Sequence, residues 1–99
     1  MKRRVVVTGT GIVSPLGIGV DENWDSVCKG KSGIGEISRF SIEDFPVKIA
    51  GEVKDFEASD YIEHKELKKM DRFIHFSVAC AVMAAEQSGI EITEENADR

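Results

Sequence analysis

Two groups of residues in this 99-residue chain have types and spacings that could do chemistry. The first is Gly9-Thr10-Gly11-Ile12-Val13-Ser14, which follows three valines and has the Gly-x-Gly spacing of a phosphate-binding loop. The second is the basic stripe, defined as Lys65, Lys68, Lys69 and Arg72. Its spacing of i, i+3, i+4 and i+7 would place four cations on one helix face, where they could bind an acidic partner.

The glycine motif departs from a dinucleotide-binding fingerprint in two respects. Ser14 stands where the third glycine is expected, and residues 15–19 keep the chain out of a helix until Asp21, although the helix should open within the loop. Gly30-Lys31-Ser32 lacks the earlier glycine and the preceding strand of a Walker-type loop. We therefore predict no nucleotide site but a structural loop, in which glycines permit close approach and Ser-Pro fixes a bend, formed by Gly9, Gly11, Ser14, Pro15 and Gly17.

The basic stripe is locally unusual in an acidic chain. Residues 65–72 carry four cations and two carboxylates, a local charge of +2, whereas the whole chain has a net charge of −5. On a continuous helix, each pair of like charges four residues apart would destabilise the helix by about 0.2–0.5 kcal/mol. The residues alone leave two interpretations open: a solvated face neutralised by Glu66 and Asp71, or a surface that binds an acidic protein.

The composition is that of an ordinary globular protein, with 41% apolar and 31% charged residues. Net negative charge argues against nucleic-acid binding. Polar residues and glycines interrupt the segment after Lys2-Arg3-Arg4, so no signal peptide is predicted, and no run approaches the roughly 20 apolar residues of a membrane span. The expected location is the cytoplasm, with Cys28 and Cys80 reduced and buried, and with no metal site or cofactor.

Hydrophobic periodicity predicts four elements: a buried strand over 5–8, a short helix from Asp21 to a stop at Gly30 with Trp24 as its anchor, a strand over 47–53, and a long helix over 59–88 that Gly89 ends. The part of the long helix over 73–85 is apolar on both sides and needs neighbours all round. The chain is therefore expected to be the opening section of a larger α/β protein.

Several motifs, taken in order, resemble the amino-terminal signature of the β-ketoacyl-acyl-carrier-protein synthases. They are Val5-Val6-Val7-Thr8-Gly9-x-Gly11-x-x-Ser14-Pro15-x-Gly17, Trp24, Gly30-x-Ser32-Gly33-Ile34, Phe40, Ala50-Gly51-x-Val53-x-Asp55-Phe56, Lys65-Glu66-x-x-Lys69-Met70-Asp71-x-Phe73 and Ser88-Gly89. The resemblance is strongest to the second bacterial type II condensing enzyme of fatty acid synthesis. It spans residues 1–99 but only the opening portion of such an enzyme.

The resemblance implies a thiolase-like fold of α-β-α-β-α layers in a homodimer. It implies a reaction in which a cysteine takes an acyl chain from a carrier protein and malonyl-carrier is decarboxylated to attack it, without metal or nucleotide. The cysteine and two histidines of that chemistry would lie beyond residue 99, because Cys28, Cys80, His64 and His75 do not match the family's catalytic motifs; no catalytic residue is assigned here.

For the basic stripe, the resemblance favours docking of an acidic acyl carrier protein, because these synthases dock carriers at the segment that matches Lys65, Lys68 and Lys69. Arg72 is included on its spacing. The alternatives to a fatty acid synthase component are a polyketide ketosynthase and a stand-alone module that binds an acidic protein.

Overall fold

A computed structural model describes residues 2–98 of the chain. Its elements are short strands followed by helices: β1 (Val13–Ser14), β2 (Gly17–Ile18), α1 (Val20–Cys28), β3 (Ile34–Glu36), β4 (Ile49–Gly51), a 3₁₀ helix (Ala58–Asp60), α2 (His64–Leu67) and α3 (Arg72–Ser88). The architecture is mixed α/β, as the sequence predicts.

Two antiparallel hairpins make up the strands of the described residues. In the first, Val13 of β1 pairs with Ile18 of β2 around a turn at Pro15-Leu16. In the second, Ile34 of β3 pairs with Gly51 of β4, and Ile37 adds a backbone hydrogen bond to the Lys48 carbonyl at 2.9 Å. The predicted strand over 47–53 is thus a three-residue strand, and its partner β3 is not among the elements that the sequence predicts.

The predicted strand over 5–8 is wrong, because these residues belong to no strand or helix of the described structure. Val5 is 87% exposed and Val7 is 81% exposed. A strand forms only where a neighbour completes its backbone hydrogen bonds, and this segment pairs with neither hairpin of the described residues.

Helix α1 buries a different face from the one predicted. Trp24 is 67% exposed, whereas Asn23 and Ser26 are buried. These two polar side chains bind the first hairpin: the Asn23 amide donates to the carbonyls of Gly17 and Gly19 at 2.9 and 2.8 Å, and the Ser26 hydroxyl donates to the Leu16 carbonyl at 3.1 Å. Ser14 completes the network by donating to the Asn23 side-chain oxygen. Hydrogen bonds, rather than apolar burial, therefore hold α1 against the hairpin.

The long helix predicted over 59–88 is broken into three elements, and only α3 is long. Its end is as predicted, because Gly89 adopts the left-handed conformation that terminates helices, with φ 69°. Of its residues only Ala79 is fully buried, and Phe73 is 66% exposed, so burial of 73–85 on all sides is not seen. Cys28 is also exposed, against expectation, and Cys80 is half-buried; neither forms a disulfide within the described chain.

Candidate docking surface

The basic stripe does not lie on one helix. Helix α2 is a single turn that ends at Leu67, residues 68–70 form a tight turn, and Asp71 is extended before α3 begins. Three backbone hydrogen bonds of the i to i+3 type shape this region, from Glu66 to Glu63, from Lys69 to Glu66 and from Met70 to Leu67, at 2.9–3.3 Å. The i, i+3, i+4, i+7 face that the sequence predicts is therefore wrong, because Asp71 starts a new helix.

The three lysines nonetheless share one short exposed turn. Lys65, Lys68 and Lys69 all project into solvent. The Lys65 ammonium lies 3.6 Å from a Glu63 carboxylate oxygen, and the Lys69 ammonium lies 3.7 Å from a Glu66 carboxylate oxygen. Lys68 has no ion-pair partner among residues 2–98. The turn thus presents three cations, two of them loosely held by neighbouring carboxylates.

Arg72 makes different contacts from the three lysines. Its guanidinium donates to the Val53 carbonyl at 3.4 Å and its central carbon lies 5.0 Å from the centre of the Phe76 ring. The side chain is half-buried. Arg72 therefore fastens the start of α3 to the segment that follows β4.

Aromatic packing joins the segment that precedes α2 to α3. Phe56 stacks on Tyr61 with ring centres 5.8 Å apart and meets Phe76 edge-on at 5.1 Å. A ring nitrogen of His75 lies 3.2 Å from the Leu67 carbonyl oxygen, which ties the end of α2 to α3. His75 is thus a half-buried residue that packs between α2 and α3. Its hydrogen bond could not be anticipated, because it depends on the turn that separates α2 from α3.

The glycine loop packs against α3. A Cβ atom added at Gly9 would lie 3.0 Å from the carbonyl carbon of Ala84, and one added at Gly11 would lie 2.9 Å from that of Cys80. The Thr10 amide between them donates to the Gln87 side-chain oxygen at 2.6 Å. Two residues of extended chain span about the same distance as one turn of helix, so the two glycines match Cys80 and Ala84 in register. No helix opens at this loop, since α1 begins at Val20.

Pro15, at the tip of the first hairpin, contacts the second hairpin. A Cβ added at Gly33 would lie 2.7 Å from the Pro15 Cβ, and one added at Gly51 would lie 3.0 Å from the Pro15 Cγ. Ser14 and Gly17 flank this tip and bind Asn23 through the Ser14 hydroxyl and the Gly17 carbonyl. All five residues of the predicted structural loop are therefore engaged with other parts of the chain.

The described residues contain neither a cluster of metal-ligating side chains nor a membrane-spanning helix. No three His, Cys, Asp or Glu side chains within 2–98 are grouped so as to hold a metal ion. Across the same residues, no helix combines the length and apolarity needed to cross a bilayer.

The fold defines a class of mixed α/β proteins in which a glycine loop packs on a long helix and a short turn exposes three lysines. The sequence profile of the family described as "Beta-ketoacyl synthase, N-terminal domain" matches residues 2–99. The chain therefore belongs to the β-ketoacyl synthase family, and its fold is the opening section of a thiolase-like fold.

Individual relatives agree with this assignment. The chain is 47% identical over 98 residues to the 3-oxoacyl-[acyl-carrier-protein] synthase 2 of Vibrio harveyi, covering 99% of this chain and 24% of the relative. It is 43% identical over 97 residues to the protein of the same name from Synechocystis sp., covering 98% and 23%. A solved structure titled "The ishigamide ketosynthase/chain length factor" superimposes with a TM-score of 0.84 at 41% identity, covering 97% of this chain and 23% of that one. The chain thus spans about a quarter of the length of these relatives.

Proposed function

We propose that this chain is the amino-terminal part of a β-ketoacyl-acyl-carrier-protein synthase that elongates fatty acids in the cytoplasm as a homodimer. In the proposed reaction, a cysteine thiolate takes the acyl group from its carrier thioester. Malonyl-carrier then loses CO2, its carbanion attacks the acyl thioester, and the enzyme thiolate leaves as the β-ketoacyl product forms. The names of relatives that are 43–47% identical support this activity.

Within that enzyme, we assign the chain a scaffold and a docking surface, and no catalytic residue. Cys28 and Cys80 lie on α1 and α3, and neither contacts His64 or His75 by a hydrogen bond within the described chain. The nucleophile and the histidines that stabilise the developing oxyanion are therefore proposed to come from other parts of the protein.

The observation that carries the docking role is the exposed turn of Lys65, Lys68 and Lys69 in a chain of net charge −5. An acyl carrier protein is acidic, so the net negative charge of the chain opposes its approach and the lysine turn attracts it. Such charges act mainly on the encounter rate, and salt screens them beyond about 8–10 Å. We assign Arg72 to positioning instead, because its guanidinium is already bound to the Val53 carbonyl and the Phe76 ring.

A stand-alone binding module is less well supported. The radius of gyration is 17.5 Å, whereas a folded domain of this length measures about 13 Å. Ile62 and Ala79 are the hydrophobic residues buried among those described, and the apolar face of α1 lines an open groove of about 600 Å³ with Ile12 and Leu16. Such a chain lacks the core that an independent module needs.

A polyketide ketosynthase is the second candidate, because the chain resembles the ishigamide ketosynthase/chain length factor structure at 41% sequence identity. Both candidates use an acidic carrier, so the docking argument holds for either. Turnover with purified carrier proteins of the two pathways, loaded with the same acyl group, distinguishes them.

The test reverses the three lysines in the complete synthase. Lys65, Lys68 and Lys69 are changed to Glu together, and KM is measured at low salt for an acyl-carrier substrate and for a short pantetheine thioester that lacks the carrier. Each exposed pair contributes about 0.2–1 kcal/mol, so single neutral changes should give effects of only a few-fold and the triple reversal more. The rise in KM should be confined to the carrier-linked substrate and should shrink as salt is added.

A matched control changes Lys29, Lys31 and Lys48 to Glu, which alters the net charge equally at sites on other elements. An unaltered carrier KM in the lysine-turn variant, or an equal rise in the control, would show that carriers dock elsewhere.

A further inference from the structure

Two carboxylates form ion pairs with lysines of the lysine turn, which consists of Lys65, Lys68 and Lys69, in the free protein. Glu63 immediately precedes α2 and lies 3.6 Å from the Lys65 ammonium, and Glu66 within α2 lies 3.7 Å from the Lys69 ammonium. Only Lys68 is left without such a neighbour among residues 2–98. An acidic partner that binds all three lysines must therefore share or displace two internal carboxylates.

The backbone of the turn places these glutamates close to their lysines. The Glu66 amide donates to the Glu63 carbonyl at 2.9 Å, and the Lys69 amide donates to the Glu66 carbonyl at 3.1 Å. The same tight turn that presents the cations thus presents the anions. The ion pairs are long and solvated, and both members of the Lys65 pair are more than 70% exposed. A carboxylate of the partner protein can therefore replace the internal carboxylate at little cost in free energy.

We propose that Glu63 and Glu66 are internal competitors for the acidic carrier protein, which hold Lys65 and Lys69 in the free enzyme and keep docking weak enough for the carrier to leave. This inference rests on the proposed function. A carrier must dissociate in each cycle to deliver a new substrate, and a surface with three fully available lysines would bind it longer. The two glutamates set the affinity both by occupying lysines and by repelling the carrier's own carboxylates.

The proposal predicts that removal of the two carboxylates strengthens binding of the carrier protein. In the complete synthase, Glu63→Gln with Glu66→Gln should lower the KM for an acyl-carrier substrate about two- to five-fold at low salt. Binding of a fluorophore-labelled, purified acyl carrier protein should tighten by the same factor, and the gain should vanish at high salt. A misfolded variant cannot produce tighter binding, so the result does not depend on assumptions about stability.

Asp71→Asn is the matched control for local charge. It removes one negative charge from the same segment, but Asp71 pairs with no lysine in the described chain, and Asn serves equally well at the helix N-terminus that Asp71 occupies. Glu86→Gln is the control for net charge, because Glu86 lies about 21 Å along α3 from Arg72, beyond the range of screened charges. Competition predicts that Glu66→Gln increases the affinity for the carrier protein more than Asp71→Asn does, and that Glu86→Gln leaves this affinity unchanged.

The outcomes separate this inference from the function on which it rests. If the lysine reversals raise the carrier KM and the glutamate changes leave it unaltered, docking stands and competition is overturned. Equal gains from Asp71→Asn and Glu66→Gln would also overturn it, since charge alone would then explain both. If the lysine reversals have no effect, the docking role itself fails.

Discussion

Gly11 lies directly against the backbone of Cys80, so closely that a Cβ atom at Gly11 would lie 2.9 Å from the Cys80 carbonyl carbon and nearer still to its oxygen. Gly9 stands in the same relation to Ala84, one helical turn further along. Neither glycine has positive φ. The two residues are therefore required by contact with α3, and not by an unusual backbone conformation.

Gly11→Ala should destabilise the complete protein. The added methyl group has no space against the Cys80 backbone, which cannot move without distorting α3, and overpacking of this kind costs about 1–3 kcal/mol. The measurement is the midpoint of thermal unfolding. Gly35→Ala is the control, because the nearest atom to a Cβ there is the Lys54 ammonium at 3.8 Å. Equal effects of the two changes, or NAD binding that Gly11→Val abolishes, would contradict a purely structural loop.

Asn23→Ala should lower the free energy of unfolding by about 1–3 kcal/mol, since a buried polar group that loses its partner pays the cost of desolvation. The change removes the side-chain donor that binds the carbonyls of Gly17 and Gly19 at 2.9 and 2.8 Å, and only the Gly19 carbonyl keeps the backbone amide of residue 23, at 3.2 Å. Denaturant unfolding of the complete protein measures the loss. Asp25→Ala on the same helix removes only an exposed ion pair with Lys29 and should cost less than 0.5 kcal/mol or so. A larger loss from Asp25→Ala would mean that the buried network contributes little.

The pKa of Glu52 provides a test in acid. Hydrogen bonds from the Ser38 backbone amide and hydroxyl, and from the Arg39 amide, lower the pKa of this carboxyl below its ordinary value of 4.5. Because the folded state has the lower pKa, ionised Glu52 stabilises the fold above pH 4.5, and this contribution is lost as the pH falls through the folded pKa.

Ser38→Ala should therefore raise the pKa of Glu52 toward 4.5 without reaching it, because the backbone donors remain. The pKa of Glu57, which the Ser59 hydroxyl lowers, should stay unchanged in the same variant. Carbon-detected NMR titration of labelled glutamates follows both groups at once. A parallel rise at Glu57 would indicate a global change in the fold rather than loss of the Ser38 bond.

Residues 1–99 expressed alone should aggregate or remain loosely packed and should condense no malonyl thioester. The extended Val5–Val7 segment and the outward face of α1 leave large apolar side chains in water, which favours association. Sedimentation and thermal melting of the isolated chain, beside those of the complete synthase, provide the measurement. A sharp cooperative transition from a monomer would contradict this expectation.

Local signals in the sequence predicted the ends of helices well. Gly30 and Gly89 both follow helices in the left-handed conformation, as expected of glycine stops. The break before α3 was missed, although Asp71 is a common residue type at helix N-termini, because the apolar period continues through it. Periodicity reports which residues share a face if a helix exists, and it does not report whether the helix is continuous.

Burial was predicted less well than the elements, and α1 shows why. Apolar spacing identified Trp24 as the buried anchor, but the buried residues of α1 are Asn23 and Ser26. Polar side chains are buried where they find hydrogen-bond partners, and those partners belong to the hairpin backbone. The identity of the lysines was readable from the sequence, whereas their pairing with Glu63 and Glu66 depends on a turn that the sequence did not reveal.

The hydrogen bonds between α1 and the first hairpin join residues only four to ten positions apart. Closing such small loops costs little chain entropy, whereas the contact of Gly11 with Cys80 must close a loop of about 70 residues. We expect the hairpin and α1 to assemble early in folding and the long helix to join later. Substitution of Asn23 should then slow refolding in stopped-flow experiments, while substitution of Gly11 should mainly speed unfolding.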